Sequence, residues 1–159
     1  MYDLPTELLN LLQNPKTTRT LATSAHDGTP DVVRRDALAV LPDGSLALPE
    51  ELDSSQTSKN LVLAMWQDRR VALTIGNGNQ AWHVVARPWR CVVAGPLFKQ
   101  FLLTARAVDG PDADIAAVWI LRPEAVRDDS VASQRAVELA QRPWAGAHMD
   151  CARFVRDAD

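Results

Sequence analysis

The chain has 159 residues, of which 47% are hydrophobic and 23% are charged, so it is expected to fold as one domain with a sizeable core. Its net charge of −3 supplies no basic field for nucleic acid or an anionic membrane, and no apolar run approaches the roughly 20 residues of a membrane span. Two cysteines, Cys91 and Cys151, are too few for a disulfide framework or a structural zinc site. Without a secretion signal at its start, the chain is expected to be cytoplasmic.

The first third of the chain alternates helix, strand and turn signals. The predicted elements are an amphipathic helix with Leu8, Leu9, Leu11 and Leu12, closed by Asn14-Pro15, a strand from Thr17 to Ser24, a turn at Asp27 to Pro30, one strand from Val32 to Leu41, a turn at Pro42 to Gly44 and a strand from Ser45 to Leu48. The first half of the strand from Val32 to Leu41 is partly polar, so Asp31 to Asp36 is predicted to line a cavity. The apolar second half of that strand is expected in the core.

A helix is predicted from Ser55 to Asp68, and its start carries hydroxyls, an amide and Lys59. The first N–H groups of a helix have no partner within it and lie at the positive end of its dipole, so this start favours an anion such as phosphate. A residue such as Asp53 or Ser54 acting only as a helix cap is the alternative. From Leu61 to Trp66 the helix is apolar nearly all round, which predicts burial on more than one side and an obligate homodimer.

The remaining elements follow the same signals. They are a strand from Arg70 to Gly76, a turn at Gly76 to Asn79, a long strand from Ala81 to Ala94 in which Pro88 indicates an edge or a bulge, a helix from Gly95-Pro96 through Ala105, a core strand from Ile115 to Leu121, and a polar helix from Asp128 to Gln141 anchored by Val131, Val137 and Leu139. The tail from His148 to Asp159 is expected to be ordered only if it packs on the barrel or on a partner subunit.

Three segments together resemble the flavin-binding split-barrel family typified by pyridoxamine 5′-phosphate oxidase. They are "LATSAHDGTPDVV" from Leu21, "LAVLPDGSLAL" from Leu38 and "SQTSKNL" from Ser55, and the resemblance covers roughly Leu4 to Leu121. It implies a flavin-binding split β-barrel with flanking helices, an α+β fold. Residues 1–125 are expected to form the barrel domain, and residues 126–159 a C-terminal helix and tail packed on it. The resemblance also implies FMN at the interface of a homodimer.

The same resemblance suggests which residues bind the cofactor. Thr57, Lys59 and Asn60 fall on the helix-start motif of the family, and the hydroxyls and the charge of this segment suit phosphate. The pyridoxamine oxidases use an arginine-lysine pair near this point, whereas only Lys59 is present here, so Arg34 or Arg35 is expected to supply the second charge. The full set of expected cofactor residues is Arg34, Arg35, Asp36, Ser55, Thr57, Ser58, Lys59, Asn60, Gln80 and Trp82. Trp82 is better explained as a core or dimer residue than as one that stacks on the flavin ring.

The expected function is that of an FMN-dependent oxidoreductase with a small-molecule redox substrate, and no catalytic acid or base stands out. A C-terminal substrate motif of the pyridoxamine oxidases has no counterpart in Pro143 to Phe154, so pyridoxamine phosphate is not the expected substrate. The alternatives are a non-catalytic flavin store or sensor, a barrel without its cofactor, and a barrel that binds heme or a deazaflavin. His148 and Cys151 have the spacing of half a metal site, but no second pair exists, and no metal is expected. No hydrolase or kinase motif occurs.

Overall fold

A computed structural model describes residues 3–142 of the chain. The elements, in chain order, are α1 (Thr6–Gln13), β1 (Thr18–Ser24), β2 (Pro30–Arg34), β3 (Ala39–Val40), β4 (Leu46–Glu50), α2 (Gln56–Trp66), β5 (Val71–Asn77), β6 (Gln80–Val92), α3 (Pro96–Asp109), β7 (Ala117–Asp128) and α4 (Val131–Gln141). The expected tail from His148 to Asp159 lies outside the described residues.

The seven strands form one antiparallel sheet in the order β2-β1-β5-β6-β7-β4-β3. The two edge strands, β2 and β3, are consecutive in sequence, and only Arg35 to Leu38 lie between them. A link this short brings the two edges close together, since an extended residue spans at most about 3.6 Å. The sheet therefore curls into a half-barrel, which confirms the expected split-barrel fold.

The core fills the concave side of the sheet. Leu21, Leu73, Ile75, Trp119 and Leu121 project into it from three strands, and Leu8 and Leu61 seal it from α1 and α2. On β7 the alternate residues Val118 and Ile120 point the other way, where they pack against α3. Both faces of this strand are thus buried between Ala117 and Leu121, because side chains alternate along a strand.

Two of the predicted strands differ from those observed. The predicted strand from Val32 to Leu41 is divided into β2 and β3, because these pair with β1 and β4 at opposite edges of the sheet. The last strand does not end at Leu121 but continues to Asp128. It passes Pro123 at a register shift, where the missing N–H of proline is tolerated.

The bulge expected at Pro88 is confirmed. The pairing of β6 with β7 shifts between Pro88 and Arg90, so Trp89 is the additional residue. The strand itself is central rather than at an edge, because β5 and β7 flank it.

In two helices, fewer apolar side chains are buried than the sequence predicts. The expected anchors of α4, Val131, Val137 and Leu139, are exposed in the described part of the chain. On α2, Leu61 and Ala64 are buried, but Trp66 is 80% exposed and Val62 is 41% exposed. No helix between residues 3 and 142 is both long and apolar enough to cross a membrane.

Candidate cofactor site

A cavity of about 610 Å³ lies between the link from β2 to β3, the end of β4 and one side of α3. Its wall is formed by Arg34, Arg35, Asp36, Ala37, Ala39, Leu48, Pro49, Glu51, Gln100, Phe101, Thr104, Ala105, Val108, Asp109 and Ile115. Small-molecule sites in proteins typically measure about 300–1,000 Å³ and combine an apolar wall with a few polar groups. The cavity has both properties, and it contains the expected residues Arg34, Arg35 and Asp36.

A nearly buried ion pair joins the link after β2 to the end of β4 at this cavity. The Nη2 of Arg35 lies 2.8 Å from Oε2 of Glu50, and the side chains are 18% and 3% exposed. The Nε of Arg35 is buried and has no hydrogen-bond partner among residues 3–142. Within the described residues, Arg35 therefore has one unpaired donor beside the cavity, although its charge is already balanced by Glu50.

The link itself is held by Arg19, a buried residue of β1. Arg19 donates to the backbone oxygens of Leu12 and Asp36, each at 2.8 Å, and to that of Asn14 at 3.2 Å. These bonds tie the end of α1 to the link that carries Arg34, Arg35 and Asp36. The cavity wall is thus fixed from behind by a side chain that does not reach the cavity.

Acidic groups outnumber basic groups on the cavity wall. Arg34 pairs with Asp36 at 2.7 Å, in an exposed position, and Glu51 and Asp109 add two further carboxylates. A dianion inside the cavity would meet this excess of negative charge. A neutral group is better suited to the interior, and a phosphate to a place outside it.

The start of α2 follows the cavity wall in sequence, with Glu51 on the wall and Gln56 beginning the helix. Ser55 caps it, because its Oγ accepts from the backbone N–H of Ser58 at 2.9 Å. The cap is thus Ser55 and neither Asp53 nor Ser54. Lys59 is exposed, and no carboxylate among residues 3–142 lies within ion-pair distance of it.

Thr57 and Asn60 are directed into the protein. Asn60 is buried and donates to Oγ1 of Thr23 at 2.9 Å, and its amide oxygen accepts from Gln56 at 2.8 Å. Thr57 and Thr23 both lie within 3.4 Å of the Asp31 carboxylate. This network joins α2 to β1 and β2. It leaves Lys59 and the helix start itself as the groups of this segment that face outward.

Gln80 and Trp82 lie at the start of β6 and are absent from the cavity wall. Gln80 is exposed, and Trp82 is half-buried, pairs with Ile75 and packs against the core. Sequence reasoning did not identify Glu50 or the side chains of α3 as parts of the site. An acid directly after the apolar run Leu46 to Pro49 was a signal for Glu50, but no local signal shows which strand α3 covers.

Other kinds of site receive no support from the described residues. Between residues 3 and 142 no three His, Cys, Asp or Glu side chains are arranged to hold a metal ion. His148 and Cys151 lie outside this range. Neither His26 nor His83 lines the cavity.

No protein-family model matches the sequence, and no curated protein matches it either. Solved structures do match its fold. HupZ of Group A Streptococcus is 14% identical, with a TM-score of 0.66 over 81% of this chain and 96% of that chain. A putative pyridoxamine 5′-phosphate oxidase from Lactobacillus delbrueckii is 24% identical, with a TM-score of 0.61 over 78% and 93%.

Two further matches are named for different ligands. An FMN-binding protein from Syntrophomonas wolfei is 10% identical, with a TM-score of 0.61 over 79% of this chain and 88% of that chain. HutZ of Vibrio cholerae, a heme storage protein, is 16% identical, with a TM-score of 0.56 over 80% and 95%. Identities this low establish a common fold and leave the ligand open. The chain has the split-barrel fold of the pyridoxamine 5′-phosphate oxidase-like proteins, as its sequence motifs indicated.

Proposed function

We propose that this chain binds FMN at the cavity and acts as an FMN-dependent oxidoreductase on a small molecule, as a homodimer. The observation that carries the proposal is the cavity of about 610 Å³ with an unpaired donor on Arg35, in a barrel whose fold is shared with an FMN-binding protein. The bound flavin would supply the redox chemistry. The residues of the chain would bind it, orient it and exclude water.

The cavity suits the ring system of a flavin. The pyrimidine edge of that ring presents carbonyl and N–H groups, for which the Nε of Arg35, the amide of Gln100 and the hydroxyl of Thr104 are matching partners. The dimethylbenzene side needs an apolar wall. Phe101, Val108 and Ile115 provide one on the same cavity.

The phosphate is assigned to the start of α2, outside the cavity. The helix start offers backbone N–H groups, and Lys59 offers a charge without a carboxylate partner in the described range. The hydroxyl of Thr57 is within 3.4 Å of Asp31, so its contribution would require that contact to break. Lys59 and the Ser55 end of the helix are therefore expected to contribute more than Thr57.

An absorption spectrum of the purified protein, before and after FMN is added, tests the proposal. We expect the bands of oxidised flavin to remain with the protein after gel filtration. Heme is the second candidate, since HutZ has the same fold, but neither described histidine reaches the cavity. A Soret band without flavin bands would indicate that the ligand is heme and not FMN. Complete separation of the added FMN from the protein would refute the proposal.

The phosphate assignment is tested by comparing Lys59→Ala with Thr57→Ala. A charge-assisted bond contributes about 1.5–3 kcal/mol, so Lys59→Ala should weaken FMN about tenfold to a hundredfold. Thr57→Ala should weaken it less and should lower stability instead, because Thr57 is buried. Riboflavin, which lacks the phosphate, is the control and should bind the parent and Lys59→Ala equally. Equal FMN affinity of Lys59→Ala and the parent would refute the assignment.

Turnover separates an enzyme from a flavin store or sensor. If the chain is an oxidoreductase, its flavin should be reduced by a nicotinamide donor or a partner reductase and reoxidised by an added acceptor, as followed by the flavin absorbance. A flavin that stays oxidised with each donor while remaining bound would favour the storage or sensing function.

Exposed apolar side chains support the homodimer. Trp66 and Val62 on α2 are exposed, and so is Val32, which lies beside Ala22 on the convex face of the sheet. Obligate interfaces usually bury more than about 2,000 Å² of total surface and are rich in apolar side chains. Light scattering at low micromolar concentration should return twice the chain mass, and a monomer mass would exclude the dimer.

A further inference from the structure

A second, smaller cavity of about 290 Å³ lies at the opposite end of α3 from the first. It is enclosed by the turn between β3 and β4, the bulge of β6, the beginning of α3 and β7. Its polar and aromatic wall consists of Asp43, Ser45, Trp89, Arg90 and Arg122. We refer to it below as the arginine cleft. None of the residues expected from the sequence to bind a cofactor belongs to it.

The bulge after Pro88 creates the arrangement of the arginine cleft. It places Trp89 beneath Arg122, whose guanidinium carbon lies 3.5 Å from the centre of the indole ring. Arg90 pairs with Ile120, which lies on the same face of β7 as Arg122 because the two are alternate residues. The two guanidinium groups therefore share one face of the sheet and one cleft.

The charges of Arg90 and Arg122 are not balanced by ion pairs. No carboxylate among residues 3–142 lies within ion-pair distance of either residue. Asp43 is the acidic group on the wall, and its carboxylate accepts from the hydroxyl and from the backbone N–H of Ser45. These bonds, with a smaller contribution from the charge of Arg122, lower the pKa of Asp43. The cleft thus contains two positive charges and one negative charge, and the negative group, Asp43, is hydrogen-bonded to Ser45 within its own turn.

We propose that the arginine cleft binds the phosphate group of inorganic phosphate or of a small phosphate monoester, through the guanidinium groups of Arg90 and Arg122. A guanidinium stacked on an aromatic ring uses its face for the ring and keeps the N–H donors at its edge, which match the oxygens of a phosphate. Two such groups favour a dianion over a carboxylate. A volume of about 290 Å³ restricts the ligand to a small molecule.

The proposal is tested by titrating inorganic phosphate into the whole protein at constant ionic strength, with chloride as the balancing anion. Binding is measured by calorimetry and by tryptophan fluorescence, since Trp89 stacks on Arg122, which is proposed to bind the phosphate. Saturable binding with an altered Trp89 emission is expected, and the emission change should disappear in Trp89→Phe. An aromatic phosphate monoester, titrated in parallel, should bind more tightly than inorganic phosphate if the ligand carries an organic group that reaches Trp89.

Single substitutions test whether the phosphate binds in the arginine cleft. Arg90→Gln and Arg122→Gln should each weaken phosphate at least tenfold, and both residues are exposed, so folding should be retained, which circular dichroism checks. Asp43→Asn should strengthen binding, because it removes the opposing charge and keeps an acceptor for Ser45. Arg135→Gln, an exposed arginine of α4, removes one charge elsewhere and should have no effect.

The outcomes separate this proposal from the proposed FMN site. Lys59→Ala should keep its phosphate affinity at the arginine cleft, while Arg90→Gln and Arg122→Gln should keep their FMN affinity. Absence of saturable phosphate binding by the parent would overturn the proposal. Equal loss in Arg135→Gln and Arg122→Gln would also overturn it, because it would reduce the effect to the net charge of the protein.

Discussion

The two cavities at the ends of α3 each contain two arginines, and the difference between them lies in the partners of those arginines. In the larger cavity Arg35 pairs with Glu50 and Arg34 with Asp36. In the arginine cleft Arg122 stacks on Trp89, and neither Arg122 nor Arg90 has an ion pair in the described range. Within residues 3–142, the same residue type is therefore neutralised by a carboxylate in one cavity and left without an ion pair in the other. Counting arginines in the sequence does not distinguish these roles.

The largest effect is expected from breaking the nearly buried pair of the larger cavity. Arg35→Ala leaves Glu50 buried without its counter-ion, and removing one partner of such a pair costs about 3 kcal/mol. Denaturant unfolding monitored by circular dichroism measures the loss. Arg34→Ala is the matched control, because its pair with Asp36 is exposed and should contribute less than about 1 kcal/mol. Similar losses in the two variants would show that burial does not distinguish the two pairs.

A smaller effect is expected where the paired arginines are partly exposed. Asp68 contacts Arg70 at 3.3 Å and Arg87 at 3.0 Å, and both arginines also contact Glu124 at 2.8 Å. Asp68→Asn removes one charge from this network and keeps a residue type that tolerates the positive φ at this position. The melting temperature should fall by about 1–2 °C at low salt. The difference in melting temperature should vanish at high salt, because salt screens exposed charges. A difference that persists at high salt would show that the substitution acts through the backbone conformation and not through the lost charge.

The smallest effect on stability is expected in the arginine cleft. Arg122→Gln removes the stacking on Trp89 but leaves no carboxylate without its partner, so the free energy of unfolding should fall by only about 0.5 kcal/mol. Denaturant unfolding of Arg122→Gln and of Arg35→Ala measures whether the loss of stability is smaller in Arg122→Gln, as expected. A loss as large as that of Arg35→Ala would show that Arg122 has a structural role and would remove the contrast between the two cavities.

Much of the secondary structure follows from short segments of sequence. Leucines spaced along one face, followed by Asn14-Pro15, indicated α1, and Pro88 indicated the bulge of β6. A helix cap was the alternative explanation for the start of α2, and Ser55 does cap that helix, whereas anion binding there stays a prediction. In each case a few consecutive residues determine the conformation, because caps, proline and side-chain periodicity act over one or two turns.

The division of Val32 to Leu41 could not be read from its composition. Arg35 to Leu38 join two strands that belong to opposite edges of the sheet, and this is a property of the whole topology. The apolar residues of α4 show a different error, in which burial was predicted from local spacing but is not observed among residues 3–142. Val131 and Leu139 have the spacing of anchors, yet the described part of the chain does not cover them.

The sequence alone determined the kind of fold and three members of the cavity wall, Arg34, Arg35 and Asp36, because ordered turns and a polar strand are local features. Only the tertiary structure decided which carboxylate each arginine meets, that Thr57 and Asn60 face β1 and β2, and that Arg90 and Arg122 share a cleft. Arg35 and Glu50 are separated by 15 positions, and Asn60 and Thr23 by 37. Contacts over such separations depend on strand pairing and on the curl of the sheet, and those decide which arginine keeps its charge available.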